Sequence, residues 1–430
     1  MANTFESNFT RKLMDKVLVP FESARVLSKN INTQMFQGSF NVNSGENVDV
    51  KRPTDWLVSE TAQGDLTSET ESVYQTGKAT ATVQPQLTVF ATVAEFDEAL
   101  KDGGDPRFFS DMAQRLVTKM ELKTAEFMMK NSALLAGTVG TAIGAGGDAW
   151  DDVAEAGAIM AASGVPRDGN WKYVVNPFTQ KSLAGDQRSL GGETGSMDAN
   201  MNATISDNFA GMKVMTATTL ASYLTGVGAD RAGTVVGTPV ATYLAAKDTM
   251  TQVIGVTAFQ ANLLVAAGET ITIIAASGSV SRLNLATREP MINDVANQVV
   301  FTGTVTASVQ LGASGEGNIT ITGPALFESD GQYNTVTQAI AASDVITLGG
   351  AAVTRIQPNL FFHRDAFVLA GVPMDKLDST DTRATTKDGI QLRVSMGSDF
   401  TKNENKVRID LRYALGAMNP FLAGQGFGNP

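Results

Sequence analysis

The sequence predicts an α+β fold in which an all-β module is set into a mixed host domain, and three observations carry that prediction. The stretch DPRFFSDMAQRLVTKMELKTAEFMMKNS bears an apolar stripe at helical spacing. Two alternating runs, NVDVKRP and ATATVQPQLTVFATV, flank a long acidic stretch. From Thr225 to about Ile356 the composition turns to Thr, Val, Ala and Gly, in short strand-like runs parted by turn residues. A chain of 430 residues has room for two or three domains, and 43% hydrophobic with 18% charged residues is a globular balance.

Residues 1–36 open with Phe9, Leu13 and Val17 at four-residue spacing, until Pro20 breaks or kinks the run. Arg11, Lys12, Lys16, Arg25 and Lys29 outweigh Glu6, Asp15 and Glu22, so the segment is slightly basic. It is either an amphipathic surface helix or an arm that docks on a partner. Residues 37–93 read as a β-hairpin with an extended loop. Between its strands Asp55, Glu60, Asp65, Glu69 and Glu71 occur without a Lys or Arg. A loop of that length is either disordered or has a task outside its own domain.

Residues 94–140 hold the long helix. Asp105 is a good N-cap and Pro106 suits the first helical position. Phe109, Met112, Leu116, Met120, Phe127 and Met128 form the stripe, with Gln114, Arg115, Glu121, Lys123 and Lys130 off it. About 25 residues at 1.5 Å each give a spine of roughly 37 Å. Residues 141–224 alternate helix and strand: a helix from Trp150 to Ala162 ending at Gly164 and Pro166, the strand WKYVV, then a helix opened by Asn176-Pro177 and running through Leu183.

Residues 225–357 contain ETITIIA, QVVFTGTVTASVQL, NITITG and DVITLGG, the pattern of a barrel or sandwich. Residues 358–384 return to the mixed domain, and 385–430 hold a second hairpin. There Ile390, Leu392, Val394 and Met396 face one way, matched by Val407, Ile409, Leu411 and Tyr413 on the return strand. The opposite face presents Arg393, Lys406, Arg408, Asp410 and Arg412, a largely basic surface.

Chemistry is hard to find. Cys is absent, so thiolate catalysis, disulfides and Cys-ligated zinc are excluded. The single histidine, His363 in PNLFFHRDAFVLAG, cannot build a two-imidazole metal site, and it reads as a structural or surface residue. No G-x-S-x-G elbow and no G-x-x-x-x-G-K-[ST] loop occurs, and GASGEG at Gly312 to Gly317 is a turn. DSTDTRATTKDG lacks the calcium-loop spacing. Among 44 acidic residues no glycosidase pair can be singled out, and three Trp and six Tyr are few for sugar stacking. No enzyme, cofactor or metal is expected. A net charge of −11 disfavours nucleic-acid binding. The N-terminus has no apolar signal core, and Ser132 to Gly147 is too short for a membrane span, which points to a soluble protein made in a cytoplasm.

The order of parts resembles the major capsid proteins of tailed double-stranded DNA bacteriophages, the Hong-Kong-97-type fold. It is most similar to the coat proteins of short-tailed phages of enteric bacteria, which carry an inserted β-barrel domain. The residues that carry the resemblance are VDVKRP and SVYQTGKATATV around the loop, and AEFMMKNSALLAG at the end of the spine. TYLAAKDTMTQVIGV, LLVAAGETITI and QYNTVTQAI with DVITLGG lie in the insertion; QPNLFFHRDAF and NPFLAGQGFGNP follow it. The resemblance spans essentially the whole chain. It implies that 94–140 is spine and peripheral domain, that 141–224 and 358–384 are the two parts of an axial domain, and that 385–430 is peripheral.

It further implies self-assembly into hexamers and pentamers of an icosahedral procapsid in the host bacterial cytoplasm, with triangulation number seven in relatives. A scaffolding protein would guide the process, a portal protein would occupy one vertex, and the shell would mature as it encloses double-stranded DNA without sequence-specific binding. No membrane is involved. Asp15 lies in the arm that receives scaffold in relatives. Lys51 and Lys78, at the base of the loop, give no indication of a Lys–Asn crosslink. The acidic loop residues (Asp55, Glu60, Asp65, Glu69, Glu71) and the basic strand face (Arg393, Lys406, Arg408, Arg412) are complementary, and are expected either to meet across subunits or to be solvated faces. The competing readings are a secreted or surface β-rich adhesin or carbohydrate-active protein, and a phage tail or decoration protein.

Overall fold

The computed structural model describes residues 17–33, 47–61, 63–93, 106–189, 201–202, 205, 208–275, 280–293, 295–329, 331–377, 381–399, 401 and 404–430. Contacts divide the chain into two units, one made of 1–49, 80–125 and 367–416, the other of 50–79, 126–366 and 417–430.

In the first unit, residues 17–23 are helical and bury Val17 and Phe21. The short helix Leu27–Asn30 follows. Its free N–H groups at Val26, Leu27 and Ser28 all donate to the Glu121 carboxylate, at 3.3, 2.6 and 3.1 Å. Glu121, expected off the apolar stripe, is therefore buried: a helix N-terminus satisfies it. Helix α1 runs Pro106–Lys130 and buries Phe109, Met112, Leu116, Met120 and Met128. Phe127 is only half-buried, and Asp105 lies outside the described residues.

The second hairpin forms from strands Gln391–Asp399 and Glu404–Leu411, with Leu392 opposite Leu411, Val394 opposite Ile409 and Arg393 opposite Asp410. Its sheet has the order Thr382–Thr385, Gln391–Asp399, Glu404–Leu411, Leu87–Val93. Two expectations change here. The run ATATVQPQLTVFATV is not one strand: Pro85 has no N–H for a ladder, so Lys78–Val83 and Leu87–Val93 join different sheets. Tyr413 likewise leaves the hairpin and starts the strand Tyr413–Ala417, which pairs with Lys78–Val83.

The second unit contains a six-stranded mixed sheet in the order Leu134–Ala136, Ala423–Gly426, Asn359–His363, Trp171–Val175, Met212–Thr216, Asn208–Phe209. Helices α2 (Ala149–Ala162) and α3 (Pro177–Ser189) cover it, and Val153, Met160, Leu183, Tyr173 and Phe361 share one core. Asn176 caps α3 by accepting from the Thr179 N–H at 2.7 Å. A two-stranded ribbon, Tyr223–Leu224 with Arg355–Ile356, brackets a closed six-stranded barrel. Going round, the barrel strands are Thr251–Thr257, Gly317–Thr322, Phe301–Val305, Thr270–Ile274, Val345–Leu348 and Ala232–Val236. Alternate residues such as Ile254, Ile271, Ile273, Phe301, Ile319, Ile321 and Ile346 fill its interior. Each such side chain contributes about 1.5–3 kcal/mol on burial. Closure removes the free edges that short Thr-rich strands would otherwise expose.

Candidate assembly surfaces

The extended loop leaves the root strands at Arg52 and returns at Gly77, where the Arg52 N–H donates to the Gly77 carbonyl at 2.8 Å. Among its described residues no strand pairing holds the two limbs. Instead the Leu57 N–H donates to Ser72 Oγ at 2.9 Å, and the Trp56 and Tyr74 rings stack at 6.1 Å. Both limbs are then tied to the inserted module. Gln332 accepts from the Val73 N–H at 3.0 Å and donates to the Val73 carbonyl at 3.2 Å and to the Asp55 carbonyl. Tyr333 Oη donates to the Gln75 carbonyl at 3.1 Å, and Asp248 accepts from the Lys78 N–H at 3.2 Å. Gly77 is pressed so closely on the Lys247 carbonyl that a Cβ would collide with it.

Beyond this anchored root the loop presents Glu60, Asp65, Glu69 and Glu71 to solvent. Hydrogen bonds from Thr67 hold the Asp65 carboxyl below its ordinary range. Apolar side chains are presented too: Trp56, Leu66 and Tyr74 are well exposed, and Val58 is 94% exposed. Asp55 is different from the other acids, since its carboxylate pairs with Arg288 of the same chain. Sequence reasoning had no means of finding Gln332, Tyr333 or Arg288 as its anchors, because they lie more than two hundred residues away and carry no motif.

The basic strand face is less basic than its sequence. Arg393, expected outward, is buried: its Nη2 lies 2.5 Å and its Nε 3.1 Å from Asp410 Oδ2. Arg408 Nε donates to Asp410 Oδ1 at 2.6 Å while its side chain stays 43% exposed. Arg412 is half-buried and Lys406 exposed. Asp15 lies outside the described residues. His363 ends a fully buried strand, where its Nε2 meets Asp168 Oδ1 at 3.1 Å and its Nδ1 accepts the Asp365 N–H at 3.2 Å. Asn170, then His363, hold the Asp168 carboxyl down at about 2. The arrangement orients a ring between two chain segments and offers no nucleophile. Among the described residues no cluster of three or more His, Asp or Glu could hold a metal ion, and no helix is long and apolar enough to cross a membrane.

A long helix, an anchored extended loop, a mixed sheet with an inserted barrel, and a hairpin sheet are the parts on which the sequence's resemblance to tailed-phage shell proteins rests. The chain belongs to the family described as P22 coat protein, gene protein 5, whose model matches residues 1–428. It is 31% identical over 434 residues to the major capsid protein of Acyrthosiphon pisum secondary endosymbiont phage 1, with 100% of both chains covered. Solved structures similar to it include one from Mycobacterium phage Che8, at TM-score 0.48 and 11% identity over 93% of this chain and 90% of that one. Another is the capsid of Cyanophage P-SCSP1u, at TM-score 0.44 and 11% identity over 91% and 86%. The protein is a phage major capsid protein, a component of the virion shell, and its family is structural rather than enzymatic. That membership displaces the adhesin, carbohydrate-active and tail readings.

Proposed function

We propose that the chain assembles into hexamers and pentamers of an icosahedral procapsid in the bacterial cytoplasm, guided by a scaffolding protein and seated on a portal, and that the shell matures around packaged double-stranded DNA. The observation that carries the reading is the extended loop: its root is tied down, yet its outer part exposes the apolar side chains of Val58 and Leu66, beside four carboxylates. Such a surface suits a neighbouring copy. Because Asp55, Arg393 and Arg408 are engaged within the chain, the inter-subunit charge pairing rests on Glu60, Asp65, Glu69 and Glu71 against the exposed Lys406 and the half-buried Arg412. Exposed pairs contribute only about 0.2–1 kcal/mol each, so repetition over many copies supplies the effect. Asp15 belongs to the segment that would meet scaffold, and the segments 1–36, 37–93 and 225–357 would act as arm, reaching loop and insertion.

Co-expression with the neighbouring scaffolding gene, followed by sedimentation and negative-stain microscopy, tests the assembly. Closed uniform shells support it, and soluble monomers alone overturn it. Arg412→Glu, which leaves the Asp410 network untouched, should impair assembly of a normally folded monomer; intact shells from that variant would remove the charge pairing and leave the capsid reading in place.

A further inference from the structure

A cavity of about 290 Å³ opens at the root of the extended loop. Three separate stretches wall it: the loop residues Arg52 to Asp55, the inserted module through Tyr243, Leu285, Arg288 and Tyr333, and the C-terminal segment through Met418 and Phe421. Its chemistry is divided. Part of the lining is apolar, with Leu285, Met250 and Phe421, and the rings of Tyr243 and Tyr333 stack within 6° of parallel. The rest is polar and includes Arg52, Asp55 and Arg288. Asp55 is occupied by Arg288, but Arg52 is 8% exposed and donates only to the carbonyls of Lys78, at 3.1 Å, and Ala417, at 3.4 Å. Among the described residues no carboxylate bonds the Arg52 guanidinium. A buried cation that bonds only neutral carbonyls is costly, and the attraction of the Asp248 carboxylate offsets that cost only in part, since burial still outweighs it. Burial draws Arg52 down to about 10 and pushes the Tyr243 and Tyr333 phenols up. Perturbed groups converging on an apolar cavity are the usual mark of a binding site.

We propose that this cavity binds a small organic anion with an apolar body, its acid group on Arg52 and its body against the tyrosine pair and Leu285. A ligand there touches loop, inserted module and C-terminal segment together, so occupancy would stiffen the root from which the loop projects. The assignment does not depend on the assembly proposal, since it concerns the single chain.

The test uses the full-length monomer and 2-naphthoate as the probe, with 2-naphthalenemethanol as its neutral counterpart and inorganic phosphate as a bare anion. Calorimetry and thermal unfolding should show 2-naphthoate binding and raising Tm, with the alcohol and phosphate each at least tenfold weaker. Arg52→Met should bring naphthoate down to the level of the alcohol. Leu285→Trp, which fills the cavity and leaves the Arg52 side chain in place, should abolish binding in a chain that still folds. Equal binding of the alcohol, equal binding of phosphate, or undiminished naphthoate binding by the Leu285→Trp variant would each overturn the proposal.

Discussion

Two buried arginine–carboxylate pairs in this chain look alike and behave in opposite ways. In the hairpin sheet Asp410 accepts from Arg393 Nε and Nη2, from Arg408 Nε at 2.6 Å and from Thr88 Oγ1 at 2.7 Å. In the inserted module Glu269 accepts from Arg231 Nη2 at 2.8 Å, while Glu269 Oε1 and Arg231 Nε and Nη1 find no hydrogen-bond partner. Tyr223 Oη and Thr270 Oγ1, also buried, are unpartnered as well. Burial raises the pKa of both acids, but for Asp410 the bonds from Thr88, Arg408 and Arg393 outweigh it and the net shift is downward. For Glu269 burial wins over the attraction of Arg231 and of the backbone N–H groups of Ala266 and Gly226, and the net shift is upward. The lesson is that hydrogen-bond satisfaction, not the presence of an opposite charge, decides whether a buried pair stabilises its surroundings.

The largest effect expected from this contrast is at Asp410. Asp410→Ala strands Arg393 as an uncompensated buried charge and should cost about 3–5 kcal/mol in urea unfolding; a loss under 1 kcal/mol would contradict the account. Next comes replacement of whole pairs. Arg231→Met with Glu269→Leu should be neutral or stabilising by up to about 4 kcal/mol, whereas Arg393→Met with Asp410→Leu should destabilise, since Arg408 and Thr88 lose their acceptor.

Smaller again is the pH response, and the two acids differ in sign. Asp410 has a folded pKa below its unfolded value, so its contribution is complete above the ordinary carboxylate range and is lost as pH falls through the lowered value. Glu269 has a raised folded pKa: in the window above the ordinary glutamate value the native chain keeps a proton the unfolded chain has released. Stability therefore falls as pH rises through that window, by at most about 1.4 kcal/mol per unit. Glu269→Gln should flatten that slope in a urea series across the window, and an unchanged slope would place the titration elsewhere. The smallest change is Thr88→Val, which removes one donor to Asp410 and should cost about 1 kcal/mol. The equivalent loss at Glu269 has no counterpart, because among the described residues no hydroxyl bonds its carboxylate.

Much of the fold was legible in the sequence because periodicity reports burial locally. The stripe of α1, the strand WKYVV, the cap at Asn176 and the Thr/Gly-rich strands of the barrel all follow from side-chain spacing within a dozen residues. Charged residues were misplaced by the same logic. Glu121 and Arg393 read as solvent-facing because a charge is assumed to seek water, yet each is buried on a partner from a distant segment or the facing strand. The candidate surface was half legible: the acids of the loop stand out as an unbroken run, but nothing local marks Asp55 as the one that Arg288 takes.

By itself, then, the sequence determined the order of elements, the absence of thiol and imidazole-pair chemistry, and the family, since these depend on composition and on spacing along the chain. The tertiary structure alone decided which charges are exposed, which strand breaks at Pro85, and that Gln332 and Tyr333 tie down the loop. The physical reason is range: a hydrophobic period is written in neighbouring residues, whereas the partner that makes a buried charge or a long loop tolerable is brought in by folding from anywhere in the chain.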